Sequence, residues 1–298
     1  MRTDLLHELN DERAEAKRVS LYVLRLDLLH PQYGGNKWFK LKYNLAEAKE
    51  KGADRVLTFG GAFSNHLAAT AAAAKAQGLR SVGIIRGEET QPLNPTLSFA
   101  RAQGMELAYM DRETYRRKNE AEVREKLQRE FPGACIIPEG GANLQGVKGC
   151  TEILPFVPVE FDAVCVACGT GATLAGLALS LREGQRAIGF PVLKGGAFLQ
   201  EEIATLLREY ANASGGAIPQ NWSLQNEYHF GGYAKTDERL LSFIKEMKQA
   251  HRLSLDHVYT GKLFCGVFDL LENDFFAAGE RVLLLHTGGL QGSVLPEK

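Results

Sequence analysis

The chain has 298 residues, 45% of them hydrophobic, and a formal net charge of -1 from 35 Lys plus Arg against 36 Asp plus Glu. That length allows one large domain or two modest ones, and the composition excludes a disordered chain. The charge balance excludes a nucleic-acid binder that relies on bulk positive charge, and the lack of any run of 18 apolar residues excludes a membrane-spanning helix.

The predicted elements alternate along the chain. Leu21 to Leu26 reads as a strand, Lys37 to Glu50 as an amphipathic helix, and Arg55 to Phe59 as a short apolar strand. Leu67 to Gln77 is nearly all alanine and reads as a helix. Ser81 to Arg86 (strand), Pro95 to Gln103 (helix), Met105 to Met110 (strand), Lys118 to Glu130 (charged helix) and Ala134 to Pro138 (strand) follow. Val147 to Leu154 is a helix, Asp162 to Ala167 a strand, Thr173 to Arg182 a helix, Arg186 to Phe190 a strand and Phe198 to Tyr210 a helix. Ser223 to Glu227 is a further strand, Thr236 to Ala250 and Lys262 to Glu272 are helices, and Arg281 to His286 is the last strand. This rhythm predicts parallel strands joined by helical crossovers, an α/β sheet covered on both faces. Ligands then sit at the carboxyl ends of strands. Met1 to Asp11 is charged and lacks an apolar secretion segment, and five cysteines are too few for a disulfide scaffold, so a cytoplasmic chain is expected.

Five segments at predicted strand ends or helix starts carry candidate chemistry. Cys168-Gly169-Thr170-Gly171-Ala172-Thr173 lies between a strand and a helix; it is either a tight turn or a loop that aims backbone N–H groups at a phosphate. It lacks the Gly-Lys-Ser/Thr ending of a nucleotide loop, and Leu174 stands where a dinucleotide loop has its third glycine. Gly34-Gly35-Asn36-Lys37 places a lysine at a helix N-terminus, where the dipole opposes a free ammonium; it is a surface lysine or a Schiff-base former. In Ser64-Asn65-His66 one polar residue suffices as a helix cap, and the remainder could hold a carboxylate; His66 by itself reads as a satisfied residue of the first turn. Tyr259-Thr260-Gly261-Lys262 precedes a helix, and His286-Thr287-Gly288-Gly289 ends the last strand. Cys165-Val166-Ala167-Cys168 has no second pair to complete a zinc site, so no metal is expected.

Taken together, Gly35-Asn36-Lys37, Ser64-Asn65-His66, the loop from Cys168 to Thr173, Val258 to Lys262 and His286 to Gly289 resemble the fold-type II pyridoxal-phosphate enzymes. The branch they resemble most is that of 1-aminocyclopropane-1-carboxylate (ACC) deaminase and D-cysteine desulfhydrase. The resemblance implies two open, twisted, mostly parallel sheets flanked by helices with pyridoxal 5'-phosphate in the cleft between two domains. It divides the chain into a large domain of residues 1–42 plus 147–298 and an inserted domain of residues 43–146, and implies a homodimer. Lys37 would bind the cofactor and shuttle protons. Asn65 would bond the ring 3-oxygen, and Gly169, Thr170, Gly171, Ala172 and Thr173 would cradle the phosphate. Ser64, Asn65, His66, Tyr233 and Tyr259 would meet the substrate, with Ser64, Tyr233 and Tyr259 joining Lys37 in catalysis. Thr260 and Thr287 lie where the family contacts the pyridine nitrogen.

The deaminases resembled carry a glutamate and a leucine where this chain has Thr260 and Thr287. A neutral hydroxyl leaves the ring a weaker electron sink than a carboxylate does. Opening a cyclopropane without an α-hydrogen needs the stronger sink, so the threonines point to β-elimination of the desulfhydrase kind. The implied reaction converts a small amino acid to ammonia and a 2-oxo acid, with ACC deamination to 2-oxobutyrate as the alternative. A racemase or dehydratase of the same superfamily, a cofactor-binding protein with little catalysis, and a nicotinamide enzyme are the further readings. The Leu24-Arg25-Leu26-Asp27 run and the bulky Trp38-Phe39-Lys40-Leu41 after Lys37 depart from both branches.

Overall fold

The computed structural model describes residues 5–290. Its strands are β1 (Leu6–Glu8), β2 (Ser20–Arg25), β3 (Arg55–Gly60), β4 (Arg80–Arg86), β5 (Met105–Met110), β6 (Ala134–Ile136), β7 (Ala163–Cys168), β8 (Arg186–Pro191), β9 (Trp222–Leu224) and β10 (Arg281–His286). They form a six-stranded sheet in the order β1-β2-β10-β7-β8-β9 and a four-stranded sheet in the order β5-β4-β3-β6. Every pairing is parallel except β1 with β2. The expected α/β fold of two mostly parallel sheets flanked by helices is therefore present.

Covering helices on both faces explain the sequence of the central strands. Ala163–Cys168 is buried along its whole length, so all six positions are apolar rather than alternating. The core on one face of the large sheet includes Leu21, Val23, Phe264 and Phe268, and that on the other includes Leu24, Val164, Leu174 and Leu283. The alanine-rich helix Asn65–Ala76 is buried from His66 to Ala74. Its small side chains let it lie flat between sheet and neighbouring helices.

Several elements differ from the sequence expectation, among them the unforeseen helix Glu12–Lys17. The charged stretch from Lys118 to Glu130 is a helix only over Ala121–Glu130. Before it, Asp111 caps a short separate helix, Arg112–Arg116, through Oδ1 accepting from Glu113 N and Thr114 N. Strand β1 was not foreseen; three residues with two exposed give no periodic signal. Among the described residues no helix is long and apolar enough to cross a membrane.

The expected domain boundaries fall inside two helices, Asn36–Glu50 and Leu144–Cys150. These helices pack tightly: a Cβ on Gly149 would lie 1.9 Å from the Phe39 carbonyl oxygen. Asn44 and Asn143 exchange side-chain hydrogen bonds of 2.7 and 3.2 Å.

Candidate active site

A cleft of about 370 Å³ opens where the carboxyl ends of β3 and β7 face each other. It is within the size range of small-molecule sites. Lys37, Ser64, Asn65, His66, Gly169, Thr170, Gly171, Thr173, Tyr233, Tyr259 and Thr287 all line it. Ala172 and Thr260 are fully buried and do not.

Lys37 enters from the first turn of the helix Asn36–Glu50, whose N-cap, Gly35, provides no side-chain cap. Gly35 has φ +75°, and a Cβ there would stand 2.0 Å from the Thr287 carbonyl oxygen. Only glycine lets this helix start dock on the end of β10. The Lys37 amine donates to Asn36 Oδ1 at 2.9 Å, and Asn36 Nδ2 donates to Thr173 Oγ1 at 3.0 Å. Burial pushes the Lys37 pKa down to about 7, and the nearby Lys40 ammonium adds to the effect. A lysine of that pKa is largely uncharged above neutrality and is a competent nucleophile.

Lys40, one helical turn on, is 4% exposed and lines the same cleft, and its ammonium has no hydrogen-bond partner among the described residues. Burial lowers its pKa as well. An unpaired buried cation is costly and marks a place for an anion. Sequence reasoning passed over Lys40 as part of a bulky run. The available signal was Lys37-x-x-Lys40, a spacing that puts both amines on one helix face.

The loop after β7 has an open end. Gly171 is the N-cap of the helix Ala172–Leu179, with φ +74° and no side chain bonded to the helix N–H groups. A Cβ on Gly171 would press to 2.3 Å from Ile203 Cγ1, and one on Gly169 would sit 3.3 Å from the Tyr259 ring. Bare backbone and two glycines leave the helix dipole free to meet an anion.

On the opposite wall Ser64 caps the helix Asn65–Ala76, its Oγ accepting from Leu67 N at 3.4 Å. Asn65 Nδ2 donates to the Gly289 carbonyl at 3.4 Å, while Asn65 Oδ1 is buried and unpartnered. His66 is 3% exposed. The single Thr58 hydroxyl hydrogen goes to the Ile137 carbonyl at 2.9 Å, so His66 Nε2 donates to Thr58 Oγ1 at 2.9 Å. His66 Nδ1 is then a bare, buried, unpartnered acceptor. Burial drives the His66 pKa well below its ordinary value, with Lys37 and Lys40 contributing. His66 is thus half satisfied.

Tyr233 and Tyr259 meet edge to face with centroids 6.1 Å apart. Burial raises the pKa of both phenols. The two threonines separate. Thr287 lines the cleft, whereas Thr260 donates its hydroxyl to Asp256 Oδ2 at 2.6 Å and accepts from Asp256 N at 2.9 Å. Arg86 and Glu139, neither foreseen, line the rim.

These residues fit a phosphorylated aldehyde: an uncapped helix start with a lone cation beside it, an amine of lowered pKa, and an unpartnered amide oxygen. A family model described as "Pyridoxal-phosphate dependent enzyme" matches residues 3–288. The chain belongs to this family of pyridoxal-phosphate dependent enzymes. Among its relatives in the family, a putative 1-aminocyclopropane-1-carboxylate deaminase of Pyrococcus horikoshii is 36% identical over 284 residues, covering 92% of this chain and 86% of that protein. The bifunctional mitochondrial D-cysteine desulfhydrase/1-aminocyclopropane-1-carboxylate deaminase of Arabidopsis thaliana is 31% identical over 92% of this chain and 73% of its own. A D-cysteine desulfhydrase of Klebsiella pneumoniae is 28% identical over 90% and 86%. The solved structure of an ACC deaminase homologue superposes with a TM-score of 0.85 at 33% identity, covering 96% of this chain and 89% of that one. As a family member the chain is an enzyme whose cofactor is pyridoxal phosphate.

Proposed function

We propose that this enzyme releases ammonia and a 2-oxo acid from a small amino acid, with D-cysteine giving pyruvate, sulfide and ammonia. One observation carries the reading: the Lys37 amine, the uncapped start at Gly171 and the Ser64-Asn65 helix start all face one small cleft. Bound pyridoxal phosphate supplies the electron sink that acidifies the substrate α-carbon. The chain's own residues do the rest. Lys37 anchors the cofactor and, once freed, holds and moves the α-proton at Nζ. Lys40, Gly169, Thr170, Gly171, Ala172 and Thr173 hold the phosphate, Ala172 through its backbone. Asn65 takes the ring oxygen. Ser64 and the N–H groups of Asn65 and His66 hold the substrate carboxylate, while Tyr233 and Tyr259 border the leaving group.

The placement of the threonines supports β-elimination. The threonine that lines the cleft is the neutral Thr287, and Thr260 is engaged by Asp256. The second reading, ACC deamination, is favoured by the names of relatives up to 36% identical. Side-by-side assays with D-cysteine and ACC, with Lys37→Ala as the blank, decide between them. Pyruvate from D-cysteine alone is the expected result. 2-Oxobutyrate from ACC overturns the electron-sink argument, and silence with both moves the substrate outside the two.

The same proposal includes a cytoplasmic homodimer that binds no nucleic acid. The near-zero net charge supports the last point, and the exposed apolar side chains of Leu28 and Trp38 support a partner copy. It also includes the division into residues 43–146 and the two flanking parts. All four strands of the smaller sheet lie between Arg55 and Ile136, which supports it; residues 1–4 and 291–298 of that division lie outside the described residues.

A further inference from the structure

One fully buried cation has no part in the site as assembled above. Lys262, in the first turn of the helix Thr260–Glu272, has no solvent exposure. Its ammonium donates to the carbonyl oxygens of Gly232 at 2.6 Å, His229 at 2.8 Å and Val192 at 3.5 Å. Three N–H bonds thus meet three backbone acceptors drawn from two remote segments. Burial lowers the Lys262 pKa to about 8, and Asp256 and Asp237 oppose that fall.

The segment so gathered is built on unusual backbone. Phe230, Gly231, Gly232 and Ala234 have φ of +51°, +89°, +121° and +55°. For Phe230 and Ala234 that backbone is sterically disfavoured. Its own bonds are few: Gly232 N to His229 O at 3.0 Å, Lys235 N to Gly232 O at 3.1 Å, and Gly231 N to His229 Nδ1 at 3.0 Å. Tyr233 stands in the middle of this turn. Tyr259, its edge-to-face partner, immediately precedes the helix that carries Lys262. The third carbonyl, that of Val192, belongs to the strand exit whose N–H donates to Cys168 O, at the mouth of the phosphate loop.

We infer that Lys262 is a positioning residue: its buried ammonium, by gathering the carbonyls of Val192, His229 and Gly232, fixes the strained turn that sets Tyr233 against Tyr259. The inference rests on the reading of Tyr233 and Tyr259 as site residues. A methionine fills the same volume but donates nothing, leaving the Val192 carbonyl unpaired and those of His229 and Gly232 with only their bonds inside the turn, which is then free to relax.

The test uses the cofactor-loaded enzyme and the variants Lys262→Met, Tyr233→Phe and their combination. Hydrogen exchange is read by mass spectrometry, and turnover is read with D-cysteine. In Lys262→Met, amides of residues 229–235 are expected to exchange at least tenfold faster, while those of 262–272 stay protected and cofactor absorbance is retained. Turnover is expected to fall to within threefold of the Tyr233→Phe level, and the double variant to fall no further, since both changes remove one positioned hydroxyl. Unchanged exchange over 229–235 overturns the inference, as do losses that multiply in the double variant. Should Lys262→Met fail to fold, Lys262→Gln, which keeps two N–H donors, carries the same readouts. If the parent enzyme turns over no amino acid, the proposed function fails while the exchange measurement still decides the role of Lys262.

Discussion

The cleft is built twice from one plan and finished in two ways. On one wall β3 ends at Gly60 and feeds the helix Asn65–Ala76; on the other β7 ends at Cys168 and feeds Ala172–Leu179. Each strand sits between two parallel neighbours at the centre of its sheet. The first helix start is closed by a side chain of its own, Ser64, through a long 3.4 Å bond. The second has only Gly171 and stays open. A start with its own weak cap can exchange that cap for a ligand that comes and goes, whereas an uncapped start next to the unpaired Lys40 suits a permanently held anion. On the proposed reading, identical backbone architecture separates substrate from cofactor by what occupies the first N–H groups.

The sharpest way to break this comparison is to supply the open start with an anion of its own. Thr170→Asp puts a carboxylate in the cradle. Two like charges about 4 Å apart at an effective dielectric near 20 repel by about 4 kcal/mol, roughly a thousandfold in affinity. Titrating apoprotein with pyridoxal phosphate is expected to show that loss, with Thr170→Asn losing far less; intact affinity would move the phosphate elsewhere. A second test concerns Lys37, which stands between the two walls. Its folded-state pKa lies near 7, below that of an ordinary lysine, so the amine loses its charge as pH rises through 7. The rate of cofactor uptake should climb with a midpoint near pH 7 and be flat by 9, where a solvated lysine would still be climbing. By the same linkage the unfolded chain keeps this proton to higher pH than the folded one. Apoprotein stability therefore gains from this group as pH rises above 7, and Lys37→Met removes that slope. The smallest effect concerns the closed start. Ser64→Ala should cost about 0.5 kcal/mol in urea unfolding, the low end for a cap, because the bond it removes is long. A loss above about 2 kcal/mol would assign Ser64 to the fold rather than to the cleft.

The strands and helices that position the cleft were legible because strands buried on both faces are continuous apolar runs bounded by glycine, as Ala163–Cys168 shows. The break between Arg112–Arg116 and Ala121–Glu130 was not, since both pieces are highly charged and only Asp111 marks the cap. In the site, glycine-flanked motifs were visible, but buried ions were not. Lys40 looks like any lysine until Gly141 and Gly149 bring neighbouring backbone against its helix. Asp256 and Lys262 satisfy themselves on backbone amides and carbonyls, which have no letters in a sequence. That Thr260 faces Asp256 while Thr287 faces the cleft likewise depends on side-chain direction at two similar motifs.

The meeting of Gly35 with Thr287 has a consequence for how the molecule is made. β2 joins the rest of its sheet only through β10, some 260 positions later in the chain. During synthesis the large sheet exists as two unjoined pieces, and the smaller sheet, complete by Ile136, can form long before. Lys37 therefore lacks its pocket until β10 has been made and has paired. Cofactor capture follows that pairing, so a chain without β10 displays no reactive amine of lowered pKa to stray aldehydes.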